Sequence, residues 1–175
     1  WSRADIPLHA RSMFLNKIPN IFKIIDELKL KKLPIAFVGD IVGTGSSRKS
    51  AANSMLWHMG EDIPYVPAKR TGGFCFGNKI APIFFNTLQD SGALPIELDV
   101  DNLDHGKNII LKPYDGQVLD AETLDVISTF EFKSDVIFDE VQAGGRINLI
   151  IGRQLTDKTR EKLDLPPSDV FRRYG

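Results

Sequence analysis

Glycine, serine and arginine meet in one short segment, Gly43-Thr44-Gly45-Ser46-Ser47-Arg48. It lies between an apolar run ending Ile35-Ala36-Phe37-Val38-Gly39-Asp40 and a helix-like segment from Lys49 to Met59. A strand that feeds a tight turn into a helix start aims backbone N–H groups and the positive end of the helix dipole at one spot, which favours an anion. Arginine grips a carboxylate or phosphate through two parallel hydrogen bonds, and a neighbouring serine hydroxyl donates a third. Two nucleotide-binding patterns fail here. A Walker A loop places glycine directly before its lysine, whereas Arg48 precedes Lys49. A dinucleotide fingerprint extends Gly43 and Gly45 with a small residue three positions on, and bulky Arg48 stands there. A plainer reading stays open, in which Ser46 or Ser47 only caps a helix and Arg48 lies on its solvated first turn.

The elements that must position this segment are legible in part. Ile21, Phe22, Ile24, Ile25 and Leu28 recur at helical spacing from Asn20 to Leu30, with Lys29, Lys31 and Lys32 forming a solvated C-terminal turn. A strand follows Pro34, and the helix after the glycine loop ends at Gly60. Ile63 to Val66 reads as a second short parallel strand, and Lys69 to Gly77 as a loop. Ile80, Phe84, Phe85 and Leu88 mark a helix stopped near Gly92, and Leu94 to Leu98 a strand. From Val100 the texture changes to short β segments, Asn108 to Lys112, Gln117 to Leu119 and Val126 to Phe132, with Asp115-Gly116 as a turn. This half reads as a small antiparallel sheet or barrel. A helix-like pattern over Val136 to Val141, a Gly144-Gly145 break and a charged stretch from Thr156 to Lys162 complete the chain, while Trp1 to Leu15 reads as an extended loop with one turn of helix. The fold class expected is α/β, with one domain over residues 1–165 and a linker starting at Pro166-Pro167 and covering 166–175.

At 175 residues and 42% hydrophobic, the chain can bury a substantial core. Its 22 basic and 23 acidic residues balance, so no general electrostatic pull toward nucleic acid or anionic membrane is expected. Cys75 is the only cysteine, which excludes an internal disulfide and a cluster or zinc site built from cysteines of this chain alone. No apolar stretch reaches the roughly twenty residues of a membrane span, and a cytoplasmic home is expected. A start at Trp1 and an abrupt end at Gly175 suggest a segment of something longer.

The string Asp40 to Ala51 resembles the active-site loop of the mobile swivel domain of aconitase-family hydro-lyases. Trp1 to Ala10, Asn53 to Tyr65, Lys79 to Asn86 and Ala143-Gly144-Gly145-Arg146 extend the match over nearly the whole chain, and they look like the bacterial B-type aconitate hydratases. The resemblance implies a swivelling β/β/α domain, with a parallel core, flanking helices and a β-rich half. It implies reversible dehydration and hydration of citrate, cis-aconitate and isocitrate, and allows 2-methylisocitrate. The [4Fe-4S] cluster of that chemistry would belong to other domains of the same polypeptide, leaving this chain without bound metal and inactive alone. By the same resemblance Ser46 is the general base, Ser47 and Arg48 hold substrate carboxylates, and Arg3 is a second carboxylate clamp.

Two other readings compete with this one. The small subunit of an isopropylmalate-isomerase-type hydro-lyase keeps a swivel domain as a separate chain, though the Trp1-to-Ala10 match disfavours it. A module that recognises RNA or a partner protein is the second; the B-type family has RNA as a partner, but the balanced charge supplies no basic face. Among remaining residues, Cys75 reads as packing and His9, His58 and His105 form no metal spacing. Asp5 could orient Arg3, and Lys69 and Arg70 could face a cleft or a neighbouring domain. The connection from Asn16 to Lys32 is shorter than the family's usual one.

Overall fold

A computed structural model describes residues 5–168. The chain begins with helices α1 (Ile6–Ala10) and α2 (Ile21–Leu30), then strand β1 (Ala36–Val42) and helix α3 (Arg48–Met59). A hairpin of β2 (Glu61–Ile63) and β3 (Val66–Thr71) leads to β4 (Phe74–Ile80), α4 (Pro82–Asp90) and β5 (Leu94–Glu97). Strands β6 (Ile109–Lys112), β7 (Gln117–Asp120) and β8 (Val126–Thr129) follow, then α5 (Val136–Gln142) and α6 (Arg146–Lys162).

The core sheet is parallel in the order β1-β4-β5, with Ala36 opposite Phe74 and Val42 opposite Ile80, then Phe74 opposite Leu94 and Gly77 opposite Glu97. The central strand β4 is covered on both faces, which is why Phe74-Cys75-Phe76 is an unbroken apolar run rather than an alternation. Cys75 joins Val42, Ala52, Met55, Leu56, Phe84 and Leu88 under α3 and α4. Phe76 points the other way, into a second core with Leu94, Ile96, Val118 and Ile137, where the antiparallel sheet β6-β7-β8 and α5 close over it. The α/β class, the parallel core and the β-rich half all hold. Among the described residues no helix is long and apolar enough to cross a membrane.

Four readings change. Ile63 to Val66 is no parallel strand; Ile63 pairs with Val66 across the turn of an antiparallel hairpin outside the core sheet. Lys69 to Gly77 is two strands rather than a loop, broken only at Gly72-Gly73, where φ values of +83° and +87° suit glycine. The charged stretch Thr156–Lys162 is the second half of a 17-residue helix. Lys31 is not merely solvated: its Nζ donates to Gly106 O at 2.8 Å and Asn108 Oδ1 at 2.9 Å, tying α2 to the segment before β6.

Candidate functional site

The glycine loop leaves the C-terminal end of β1 and enters α3, the place where open parallel sheets bind ligands. Val42 O accepts Ala81 N–H at 2.8 Å, which fastens the start of α4 beside the loop. Gly43 then turns with φ +80°, and a β-carbon there would lie 2.3 Å from Phe84 Cβ. Gly45 is the opposite case, since a β-carbon on it would meet nothing within 4 Å. Thr44, Gly45 and Ser46 are exposed, so the loop presents an open edge and not an enclosed pocket. A cavity of about 510 Å³ does exist, but it lies under α2 among Phe37, Phe74, Ile25 and Leu28, away from this loop.

Ser47 stands at the N-cap position of α3, and its carbonyl accepts Ala51 N–H at 3.0 Å, yet its side chain makes no capping bond. The plainer reading of Ser47 as a helix cap is therefore not met. Arg48 opens the helix half-buried, and its Nε is buried without a hydrogen-bond partner among the described residues. No acidic residue occupies the first turn of α3, leaving the positive end of its dipole uncompensated. A hydroxyl without a capping bond, a guanidinium N–H without a partner among the described residues and a helix start without an acidic residue are features that suit an anion.

Side chains that sequence reasoning passed over hold this edge in place. Asn78 Nδ2 donates to Asp40 Oδ1 at 2.8 Å, while Asn78 Oδ1 accepts Val100 N–H at 3.1 Å. Glu97 Oε1 accepts Ile80 N–H at 2.9 Å. The three strands are thus stitched together where they end, beside the loop. Polar residues interrupting strand ends were the available signal.

The other candidates are dispersed into structural work. Arg3 lies outside the described residues. Asp5 caps α1, accepting Leu8 N–H at 3.0 Å. His9 Nδ1 meets Ser54 Oγ at 2.8 Å, and His58 Nε2 donates to Ala10 O at 3.1 Å, so both histidines fasten α1 to α3. Burial holds the His58 pKa below its ordinary value, helped by the positive charges of Lys29 and Arg70 and opposed by the Ala10 carbonyl and Asp26. Arg70 bonds Asp62 Oδ1 at 2.9 Å and Trp57 O, and its guanidinium lies 4.4 Å from the Trp57 ring centre. Lys69 is exposed on β3. His105 is exposed between β5 and β6. Cys75 is buried in β4, and burial pushes its thiol up to about 12, far from the thiolate a cluster needs. Among the described residues no group of three or more His, Cys, Asp or Glu could hold a metal ion.

The family model described as "Aconitate hydratase 2 N-terminus" matches residues 1–174. Aconitate hydratase B of Escherichia coli K12 is 59% identical over 182 residues, covering 98% of this chain and 21% of that protein. The Pseudomonas aeruginosa protein of the same name is 55% identical, covering 99% and 21%, and that of Helicobacter pylori 53% identical, covering 99% and 20%. The chain thus spans about a fifth of the length of these relatives. Among solved structures, a 3-isopropylmalate dehydratase of Methanocaldococcus jannaschii superposes with a TM-score of 0.56 at 20% identity, over 78% of this chain and 75% of that one, a likeness of fold.

Proposed function

The chain belongs to the aconitate hydratase 2 N-terminus family, and from that premise we propose that residues 1–165 are the substrate-binding swivel domain of a hydro-lyase that interconverts citrate, cis-aconitate and isocitrate. Residues 166–175 begin the linker to the domains that complete it. The [4Fe-4S] cluster of the family would polarise the leaving hydroxyl when bound. Cys75, buried and with its thiol pushed up to about 12, does not fit as a ligand to it; in this reading the cluster is held by other domains of the same polypeptide.

This chain's own contribution is to hold carboxylates and move one proton. Ser46 Oγ takes the proton from the carbon next to a substrate carboxylate and returns it in the reverse direction. A serine hydroxyl is a very weak acid, so it works as a base only where its anion is strongly stabilised. The N–H groups at the bare start of α3 and the adjacent Arg48 supply that stabilisation. Ser47 and Arg48 bind one carboxylate, and Arg3 clamps a second, so that the proton to be removed faces Ser46. Holding the substrate in this way can lower the barrier by several kcal/mol.

The observation that carries the reading is the pairing of Ser47, whose hydroxyl makes no capping bond, with Arg48, whose buried Nε has no partner among the described residues. The test is turnover in the complete polypeptide. Ser46→Ala should lower kcat by orders of magnitude while the visible absorption of the cluster stays unchanged. Near-normal turnover removes Ser46 as the base. Turnover by the 175-residue chain alone would sink the claim that it is catalytically incomplete.

A further inference from the structure

Helix α6 is amphipathic the wrong way round. The side chains that meet the body of the protein fall at positions 146, 149, 153, 156 and 160, one stripe at helical spacing, and they are Arg146, Leu149, Arg153, Thr156 and Arg160. Only Leu149 is both apolar and buried. The helix is fastened by its charges: Arg146 Nε to Glu140 at 2.9 Å and to Asp90 at 3.5 Å, and Arg153 Nη2 to Asp139 at 3.0 Å. The outward face carries four aliphatic residues in its first half, Ile147, Ile150, Ile151 and Leu155, exposed by 61%, 45%, 50% and 60%, with the polar Gln154 and Lys158 beside them toward its end. A surface helix buries its apolar stripe and wets its polar one, so this face is shaped to be covered.

Gly152 adds an independent sign. Glycine inside a helix is destabilising by about 1 kcal/mol relative to alanine. A β-carbon here would meet nothing within 4 Å, so nothing among the described residues calls for a glycine. A backbone left bare on an open helix suits the close approach of another element.

We propose that the Ile147-Ile150-Ile151-Leu155 face docks against another domain of the same polypeptide. The curated relatives are about five times as long as this chain, so most of the family's polypeptide lies beyond it and needs a place to pack. The position of α6 fits that occupant. Its first residues follow Gly145, which sits against Asp90 at the end of α4, on the sheet edge opposite the Gly43–Arg48 loop. A domain seated there leaves the loop edge clear for the substrate. The proposal rests on the chain being one part of a longer polypeptide and not on its chemistry.

The test is thiol labelling at α6 in the complete polypeptide, read by mass spectrometry of the α6 peptide. The Ile151→Cys variant should react at least tenfold more slowly in the native protein than in urea, at every protein concentration down to the nanomolar range. Hydrogen exchange of the unsubstituted polypeptide gives a second reading, with α6 amides protected to the level of α3. A native rate equal to the unfolded one, or α6 amides that exchange like a frayed terminus, overturns the proposal. Protection that disappears on dilution also overturns it, in favour of a second copy. Neither measurement uses turnover, so failure of the hydro-lyase reading would leave this result standing, and the reverse.

Discussion

Gly43 is packed against Phe84 so closely that a β-carbon on the glycine would fall 2.3 Å from both Cβ and Cγ of the phenylalanine. With φ at +80°, the position resists any side chain on two counts, backbone strain and overlap. Gly43→Ala is expected to destabilise the fold by about 2–4 kcal/mol, read as a shift of the urea midpoint. A loss below about 1 kcal/mol would mean that the loop turns away from α4 without penalty.

Arg48→Lys keeps the charge and discards the planar fork. In the complete polypeptide it is expected to raise KM for isocitrate at least tenfold with the thermal midpoint unchanged, because lysine cannot make two parallel bonds to one carboxylate. An unaltered KM would take Arg48 out of substrate binding.

His58 makes stability depend on pH in a defined direction. Its folded pKa lies below the unfolded value of 6.5, so between the two the unfolded chain binds the proton more readily. The contribution is complete above 6.5 and is lost as pH falls through the folded pKa. A Tm series from pH 7.5 down to 5 should decline below 6.5, and His58→Gln should flatten that decline. Parallel curves for both proteins would exclude His58 as its source.

Cys75 should serve as a reporter of unfolding. Its thiol, held near 12 against 9.0 for the unfolded chain, stays protonated and buried at pH 8, so a thiol reagent reacts only through opening. Labelling should accelerate with urea in step with loss of near-ultraviolet circular dichroism. Because the unfolded chain ionises first, stability should also fall as pH rises above 9.0. Rapid labelling of the native chain at pH 8 would contradict the burial.

Glu140 is nearly inaccessible and is satisfied by Arg146 and by Gln89 Nε2 at 3.3 Å. Arg146→Ala should cost about 2 kcal/mol, reduced from the value for a fully buried pair because Arg146 is partly exposed. Adding Glu140→Gln should recover part of that loss by removing the stranded charge. A double variant less stable than Arg146→Ala would show that the carboxylate still contributes through other donors such as Gln89 once the arginine is gone.

Local signals carried much of the fold. The periodic apolar residues of α2 and α4, the Asp115-Gly116 turn and the alternating β segments after Val100 are short-range patterns, and each element formed close to where its pattern lies. The Lys69–Gly77 stretch misled because Gly72, Gly73 and Gly77 look like a loop when burial is unknown. Only the pairing of β4 between β1 and β5 makes a strand of Phe74-Cys75-Phe76. The Thr156–Lys162 stretch misled for the converse reason: its charges belong to a helix held to the body by polar contacts, against the usual hydrophobic rule.

By itself, then, the order of residues determined that a glycine-rich loop joins a strand to a helix, and the likeness that order carries pointed to one family. These are properties of neighbours along the chain, set by backbone geometry and side-chain type. Tertiary structure decided how that loop's groups are used. Ser47 is left without a capping bond, Arg48 Nε without a partner among the described residues, and Gly43 pressed against Phe84, because α3, α4 and the sheet converge there from distant parts of the sequence. Which donors stay unspent depends on what packing brings within reach, and no local pattern records that.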